Sequence, residues 1–297
     1  MWRSTMHGEE NKRKGPCTNK PLLGTLLTVI GLSWLILSLP AIADEPAPVS
    51  LHAPWNALLK ELVHPARDGA TTQVDYAGFK DQKSELSAYL SQLAAVSKAE
   101  YENWEQPRQL AFLINAYNAY TVLLIVNHYP DINSIKDTGS LFSSPWSKDF
   151  ARLLGQKRSL DNIEHGWIRG AQGDYPGFKE PRIHFAVNCA SIGCPSLRAE
   201  AYTGQRLNAQ LEAQTRQFLS DRTRNRADNT TLHVSSIFKW YDNDFQHGWQ
   251  GIDSLSGFFM HYADALNLDE AQRAKLQKGE LDIQFLPYNW ALNEFEK

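Results

Sequence analysis

Cysteine is scarce in this chain: three residues among 297, at positions 17, 189 and 194. The last two have a C-x4-C spacing rather than the C-x-x-C of a dithiol redox motif, so a thioredoxin-like role has little support. His-x-x-x-His and related ligand spacings are missing, which ranks metal chemistry low. Basic charge is not in excess either: 30 Lys and Arg face 33 Asp and Glu, a net charge of −3. A nucleic-acid binder would show a basic stripe, so the sequence argues against that partner. No internal repeat is visible and the composition does not break after residue 50, which leaves one domain as the economical organisation.

What is present begins with a leader. Lys12, Arg13, Lys14 and Lys20 precede an uncharged run over residues 22–39, and Pro40 then breaks the helix before the small-x-small sequence Ala41-Ile42-Ala43. Residues 1–43 therefore read as a signal peptide, followed by a Pro/Ala linker over 44–50. The competing reading is an uncleaved signal anchor, because 18 apolar residues are about the minimum for a membrane span. Either reading places the bulk of the chain in the periplasm or outside the cell, with membrane contact only through the N-terminal segment if it is uncleaved. Without the leader, 25 basic and 31 acidic residues remain, a net charge of −6. Cys17 leaves with the leader, so Cys189 and Cys194 become an even pair in an oxidising compartment.

Spacing predicts helices over residues 51–62 and 84–96, the second with Leu86, Tyr89, Leu90 and Leu93 on one face. Ser97 to Glu100 has the form of a capping box that opens a further short helix. Residues 110–126 are apolar nearly all round and read as a buried central helix, too interrupted by polar residues for a membrane span. Residues 137–158 suggest a loop with an edge strand, and 160–169 a short helix ended by Gly170. Helices over 206–219 and 269–277 and strands over 232–234 and 281–285 complete the pattern. The expected fold class is α+β: a single mixed domain over 51–297 with a buried central helix and a small sheet, a thiol-peptidase-like scaffold being one form of it.

The most informative stretch is 182–197, RIHFAVNCASIGCPSL, which brings one histidine and both remaining cysteines into 16 residues. With period two, Ile183, Phe185 and Val187 form the apolar face of a short strand, with Arg182, His184, Ala186 and Asn188 opposite and Cys189 just past its end. A thiolate needs a nearby base or positive end to react near neutral pH. His184 lies five residues upstream, about 15 Å away along an extended strand, so spacing alone does not make a dyad. The other reading of the pair is a Cys189–Cys194 disulfide closing a tight turn.

Glu164 and His165 are neighbours on the short helix, where successive side chains diverge by about 100° and do not readily face one ligand. Asp161 to Glu164 fits a capping arrangement with Glu164 at the helix start. Arg169 follows His165 by one turn on the same face, so His165 reads as a structural hydrogen-bonder or a base. Asn115 and Asn118 lie three residues apart on the apolar central helix. Buried amides are costly unless bonded, so they must fix a backbone segment or an imidazole. Aromatic residues gather over 238–245 and 287–290 beside Asp242, Asp244 and Asn293. Such clusters read as core, with the carboxylates free to orient a histidine or line an acyl, peptide or sugar groove.

Taken in order, the blocks FLINAYNAYTVLLI, SLDNIEHGWIR, PRIHFAVNCASIGCPSL, SSIFKWYDNDF and YNWALN make the chain similar to the family called domain of unknown function 547, from about residue 110 to 293. The resemblance implies Asn115, Asn118, Glu164, His165, Arg169, His184, Cys189, Cys194, Trp240, Asp244 and Trp290 as the matching positions.

Three functions follow from these residues. The leading expectation is an exported thiol-dependent hydrolase or acyl transferase, with Cys189 as nucleophile, His184 or His165 as base, and Glu164 or an asparagine as orienter. Its histidine precedes its cysteine, opposite to the usual order in papain- or transglutaminase-like folds, so it requires a permuted or unrelated scaffold. The alternative is a non-catalytic envelope binding module held by a Cys189–Cys194 bridge, with the aromatic segment around Trp240 as core or ligand groove. The third is a metal-dependent hydrolase using His165, His184 and Glu164. The first reading calls for no cofactor, and the ligand expected is a small molecule, a peptide or an envelope component. Cleavage of the leader predicts a mature N-terminus at Asp44. N-terminal sequencing of protein from expressing cells is expected to start there, and an intact leader would make the segment an anchor instead.

Overall fold

Local signals set most of the helices. The computed structural model describes residues 50–67, 69–140, 143–172 and 175–295; the leader, its cleavage site and nearly all of the linker lie outside them. Pro54, in the first turn of α1 (Ala53–Leu62), occupies a position where its missing N–H costs nothing. The strands β1 (Val63–Pro65) and β2 (Thr72–Val74) then pair antiparallel. Asp75 caps α2 (Tyr76–Asp81) by accepting from Gly78 N at 2.8 Å. In α3 (Lys83–Ala95) the four predicted residues, Leu86, Tyr89, Leu90 and Leu93, are the buried ones. Ser97 caps α4 (Lys98–Glu102), its hydroxyl accepting from Glu100 N at 3.0 Å.

The organising element is α5 (Gln106–Val126), buried on nearly every face. It is long and apolar enough to cross a membrane, but its most apolar window is 89% buried inside the protein, which makes it a core helix. The hairpin β3 (Ala151–Leu153) and β4 (Gln156–Arg158) follows, then a π-helix over Asn162–Ile168 and a 3-10 helix over Pro181–Phe185. The rest of the chain supplies α6 (Leu207–Ser220), β5 (Arg226–Ala227), β6 (Thr231–Ser235), α7 (Ile237–Trp240), α8 (Leu255–His261), α9 (Glu270–Lys278) and β7 (Asp282–Leu286). β6 pairs antiparallel with β5 and parallel with β7, giving a three-stranded sheet. The fold is thus α+β, with a buried central helix and small sheets.

Two apolar clusters fill it. One surrounds α5; the other gathers Phe218, Phe238, Phe245, Phe258 and Phe259 with the sheet residues Leu232 and Val234. Segment 181–188 runs where they meet: Ile183, Ala186 and Val187 join the first cluster and Phe185 joins the second. That explains why the predicted strand over 183–187 is absent. Every residue from Pro181 to Asn188 is buried, so the alternation of polar and apolar residues does not report a solvent face. Arg182 is buried by bonding to Glu180 and Asn208, not by facing water.

The predicted cap at Asp161 is also displaced. Its side chain caps nothing; Ser159 Oγ accepts from Asn162 N at 3.1 Å and opens the π-helix in its place. Gly170 ends that segment at φ +70, and a Cβ there would collide with the Gly177 backbone at 2.5 Å.

The two buried amides of α5 each grip a backbone. Asn115 bonds both the N–H and the carbonyl of Tyr202, at 2.9 and 2.8 Å. Asn118 donates to Ala186 O at 2.9 Å and accepts from Asn188 N at 2.8 Å. Replacing Asn118 by Ala strands both backbone groups in the core. We expect a loss of about 2–4 kcal/mol, read from urea unfolding midpoints; a change under about 0.5 kcal/mol would mean that the clamp contributes nothing.

Candidate active site

The Asn118 clamp delivers the chain to Cys189 in a fixed pose. Asn188 donates to Pro195 O at 2.7 Å and accepts from Ala190 N at 2.9 Å, tying the turn to itself. Ala190 then adopts φ +61, a left-handed conformation that costs a residue with a Cβ roughly 1–2 kcal/mol. The turn holds that strain because the C-terminal segment braces it: Asn293 N donates to Ala190 O, Ile192 N to Ala291 O and Gly193 N to Asn289 O.

A cavity of about 180 Å³ opens beside this turn, lined by Cys189, Cys194, His184, Glu164, His165, Asp161 and the aromatic residues Tyr117, Trp146, Tyr241, Tyr288 and Trp290, among others. Glu164 and His165 both reach it, contrary to the expectation for neighbours on an α-helix. The wider π-helical turn, which closes through Arg169 N to Glu164 O at 2.9 Å, brings successive side chains closer to one face.

Asp244 joins the imidazoles to the guanidinium. It accepts from Arg169 Nε at 2.6 Å and Nη2 at 3.0 Å, and from His184 Nε2 at 2.7 Å. Burial alone would raise its carboxyl pKa, but the hydrogen bonds and charges of His184 and Arg169 outweigh that and hold it well below the usual carboxylate range. The buried imidazole of His184 stacks on Tyr241 with ring centres 3.9 Å apart. Burial lowers its pKa more than Asp244 raises it, so it is neutral near pH 7. With Nε2–H committed to Asp244, Nδ1 carries the lone pair, and Nδ1 has no hydrogen-bond partner among the described residues. His165 is arranged the other way: its Nδ1 accepts from Arg169 Nη1 at 2.8 Å, leaving Nε2 as its N–H. Glu164, buried, accepts from the Tyr241 hydroxyl at 2.8 Å.

The sulfur of Cys189 lies 3.0 Å from that of Cys194, 3.2 Å from Ser191 Oγ and 3.1 Å from Tyr288 Oη. These contacts hold its thiol below the usual range against the opposing effect of burial, the contact with Cys194 acting most strongly. Burial, and then the neighbouring Cys189, push the Cys194 thiol up. Both cysteines are free, at a separation well beyond the roughly 2.05 Å of a disulfide. No hydrogen bond joins Cys189 to either histidine among the described residues; both histidines share its cavity instead. Among the described residues no three His, Cys, Asp or Glu side chains converge as a metal site would require.

Trp240 stands outside the cavity, exposed; it stacks on Trp290 at 5.8 Å and meets Tyr288 at a tilt, with ring centres 4.9 Å apart. Trp146 meets Trp290 in a T-shaped contact with ring centres 5.8 Å apart, and Lys136 Nζ lies 3.7 Å over the Trp290 ring. Tyr117, Trp146, Ser191, Tyr241 and Tyr288 are site residues that the sequence reading did not single out. Tyr241 and Tyr288 sit in aromatic runs that look like core, and nothing in their spacing marks a hydroxyl aimed at a carboxylate or a sulfur.

Fold and site together define a mixed α+β protein with a cysteine, a carboxylate-held histidine and a buried glutamate around one small cavity. Residues 101–219 match the family model described as "Protein of unknown function, DUF547", so that segment is similar to that family. The matched segment carries Asn115, Asn118, Glu164, His165, Arg169, His184, Cys189 and Cys194, whereas Trp240, Asp244, Tyr288 and Trp290 lie beyond it. No curated protein and no solved structure matches the chain.

The site carries a pH signature. His184 and Asp244 both have lowered folded-state pKa values, so on acidification the unfolded chain takes up protons that the folded protein refuses, and stability falls. The decline begins as pH drops through the ordinary histidine value near 6.5 and resumes through the ordinary aspartate value near 3.9. His52, held down to about 4 by burial and then by the charge of Arg108, adds to the first stage. Urea midpoints measured from pH 8 to 3 are expected to fall in those two windows. In Asp244→Asn the lower decline should shrink; a midpoint flat from pH 7 to 5 in a His52→Gln background would contradict a neutral buried His184.

Proposed function

We propose that this chain is a cysteine-dependent hydrolase or acyl transferase acting on a small amide or ester group outside the cytoplasm. The observation that carries the reading is His184: its Nε2–H is fixed by Asp244, its Nδ1 has no hydrogen-bond partner among the described residues, and the residue lines the same cavity as Cys189, whose thiol is activated. His184 is thereby preferred to His165, whose Nδ1 is already occupied by Arg169.

In this reading Cys189 attacks the carbonyl carbon, the leaving amine or alkoxide departs with a proton, and water or a second acceptor releases the acyl group. His184 Nδ1 carries the proton in each half. Asp244 is the orienter, a role the sequence had assigned to Glu164 or an asparagine; Arg169 in turn fixes Asp244. A cavity of about 180 Å³ lies below the roughly 300–1,000 Å³ of pockets that enclose whole drug-sized ligands. It suits a small substrate, or the end of a longer one whose remainder crosses the aromatic mouth formed by Trp146, Trp240 and Trp290. The leader pattern supports export to the periplasm or beyond.

The test is turnover of a panel of activated esters and short peptide amides, with thiol alkylation by iodoacetamide alongside. Cys189→Ala is expected to abolish turnover, and His184→Gln to slow it by about 10²–10⁴-fold while the protein stays folded. Alkylation of Cys189 should titrate below the ordinary thiol value near 8.5. Full turnover by Cys189→Ser would sink the proposal.

A further inference from the structure

Behind Cys189 stands a second sulfur to which acyl transfer gives no task. Cys194 is buried, while Cys189 is half-buried on the cavity wall, and their sulfurs are 3.0 Å apart. The turn between them is held at every step. Cys194 N donates to Ser191 O at 3.0 Å, and Ile192 and Gly193 each donate to the C-terminal segment at 2.8 Å. A Cβ on Gly193 would stand 2.9 Å from the Tyr288 ring, so that segment lies directly against the turn. Cys189 N itself donates to Cys194 Sγ at 2.9 Å, and Arg224 bonds the Cys194 carbonyl. The two sulfurs are therefore kept face to face, and closing to a disulfide asks for a movement of only about 1 Å.

We propose that Cys189 and Cys194 form a peroxide-responsive pair, in which a hydroperoxide oxidises Cys189 and Cys194 resolves it into a reversible disulfide. The inference rests on Cys189 being the reactive thiol of the function above, and adds the regulation of that site. In the first step the Cys189 thiolate attacks the terminal oxygen of ROOH. The S–O bond forms, the O–O bond breaks, and the alkoxide leaves and takes up a proton as ROH; Cys189 becomes a sulfenic acid, oxidised by two electrons. In the second, Cys194 attacks the Cys189 sulfur. The S–S bond forms, the S–O bond breaks, and the hydroxide leaves with the Cys194 proton as water.

Exposure ranks the roles. Cys189, the less buried residue of the pair and one that lines the cavity, meets the peroxide first, and hydroxyls of Ser191 and Tyr288 stand within 3.2 Å of its sulfur to stabilise the anion. The buried sulfur stays protonated until the sulfenic acid forms beside it. The bridge removes the nucleophile from the cavity without over-oxidation, and a dithiol reductant restores it by two thiol–disulfide exchanges.

Both cysteines fall in one tryptic peptide, residues 183–198, which makes the test direct. Full-length protein, reduced and freed of reductant, is treated with equimolar hydrogen peroxide, alkylated, digested and weighed. The expected result is a peptide lighter by two hydrogens and free of alkyl groups, returned to the doubly alkylated form by prior dithiothreitol. In Cys194→Ala the same peptide should instead take up dimedone at Cys189. Wild-type protein that accumulates dimedone adduct or sulfinic acid without the bridged peptide would overturn the proposal, as would failure of Cys189 to react with peroxide. The outcome separates from that of the function. A bridge that forms in a protein without esterase or amidase turnover leaves the redox pair standing alone, and turnover without a bridge does the reverse.

Discussion

The carboxylate of Asp244 is the joint on which the site depends. Three hydrogen bonds converge on it from two segments that are remote in sequence, the end of the π-helix through Arg169 and the 3-10 segment through His184. A forked guanidinium and a carboxylate fix each other's plane, so the third bond, to the imidazole, acquires a direction as well. The same guanidinium sets the tautomer of His165. One ion pair thus decides which nitrogen of each histidine is free.

Around this joint the protein uses buried amides where simpler folds use sheet pairing. Asn115, Asn118, Asn188 and Gln214 each satisfy main-chain groups of irregular segments that have no ladder of their own. Irregular backbone in a core is expensive unless every N–H and carbonyl finds a partner, and a primary amide supplies a donor and an acceptor at once. The strained residue after Cys189 is held by the same device. Rigidity at the cysteine comes from polar bonding inside an apolar shell, with two apolar clusters excluding water from both sides of segment 181–188.

Where side chains obey a period, the sequence was readable. The helices α1, α3, α4, α6 and α9 appear within two or three residues of their expected limits, because caps and apolar stripes act over one or two turns. The segment carrying His184 was misread as a strand because all its residues are buried, and alternation has meaning only where one face meets solvent. Glu164 stands in the first turn as its spacing implies, but its sharing of one cavity with His165 is not legible, because a π-turn leaves no distinctive spacing. Tyr241 and Tyr288 passed for core because a buried ring and a ring whose hydroxyl serves a neighbour look alike in sequence.

By itself the sequence determined the helical periodicity, the presence of a buried central helix, the requirement that Asn115 and Asn118 be bonded, and the gathering of cysteine, histidine and glutamate into two short blocks. These follow from interactions among residues close in the chain, or from the cost of burying a polar group wherever it ends up. Tertiary structure alone decided that Asp244 meets His184 across 60 residues, that Tyr288 meets Cys189 across 99, and that Cys194 rather than a histidine lies against the reactive sulfur. Those contacts are set by how separate segments dock, and no local pattern of residues encodes the distance between them.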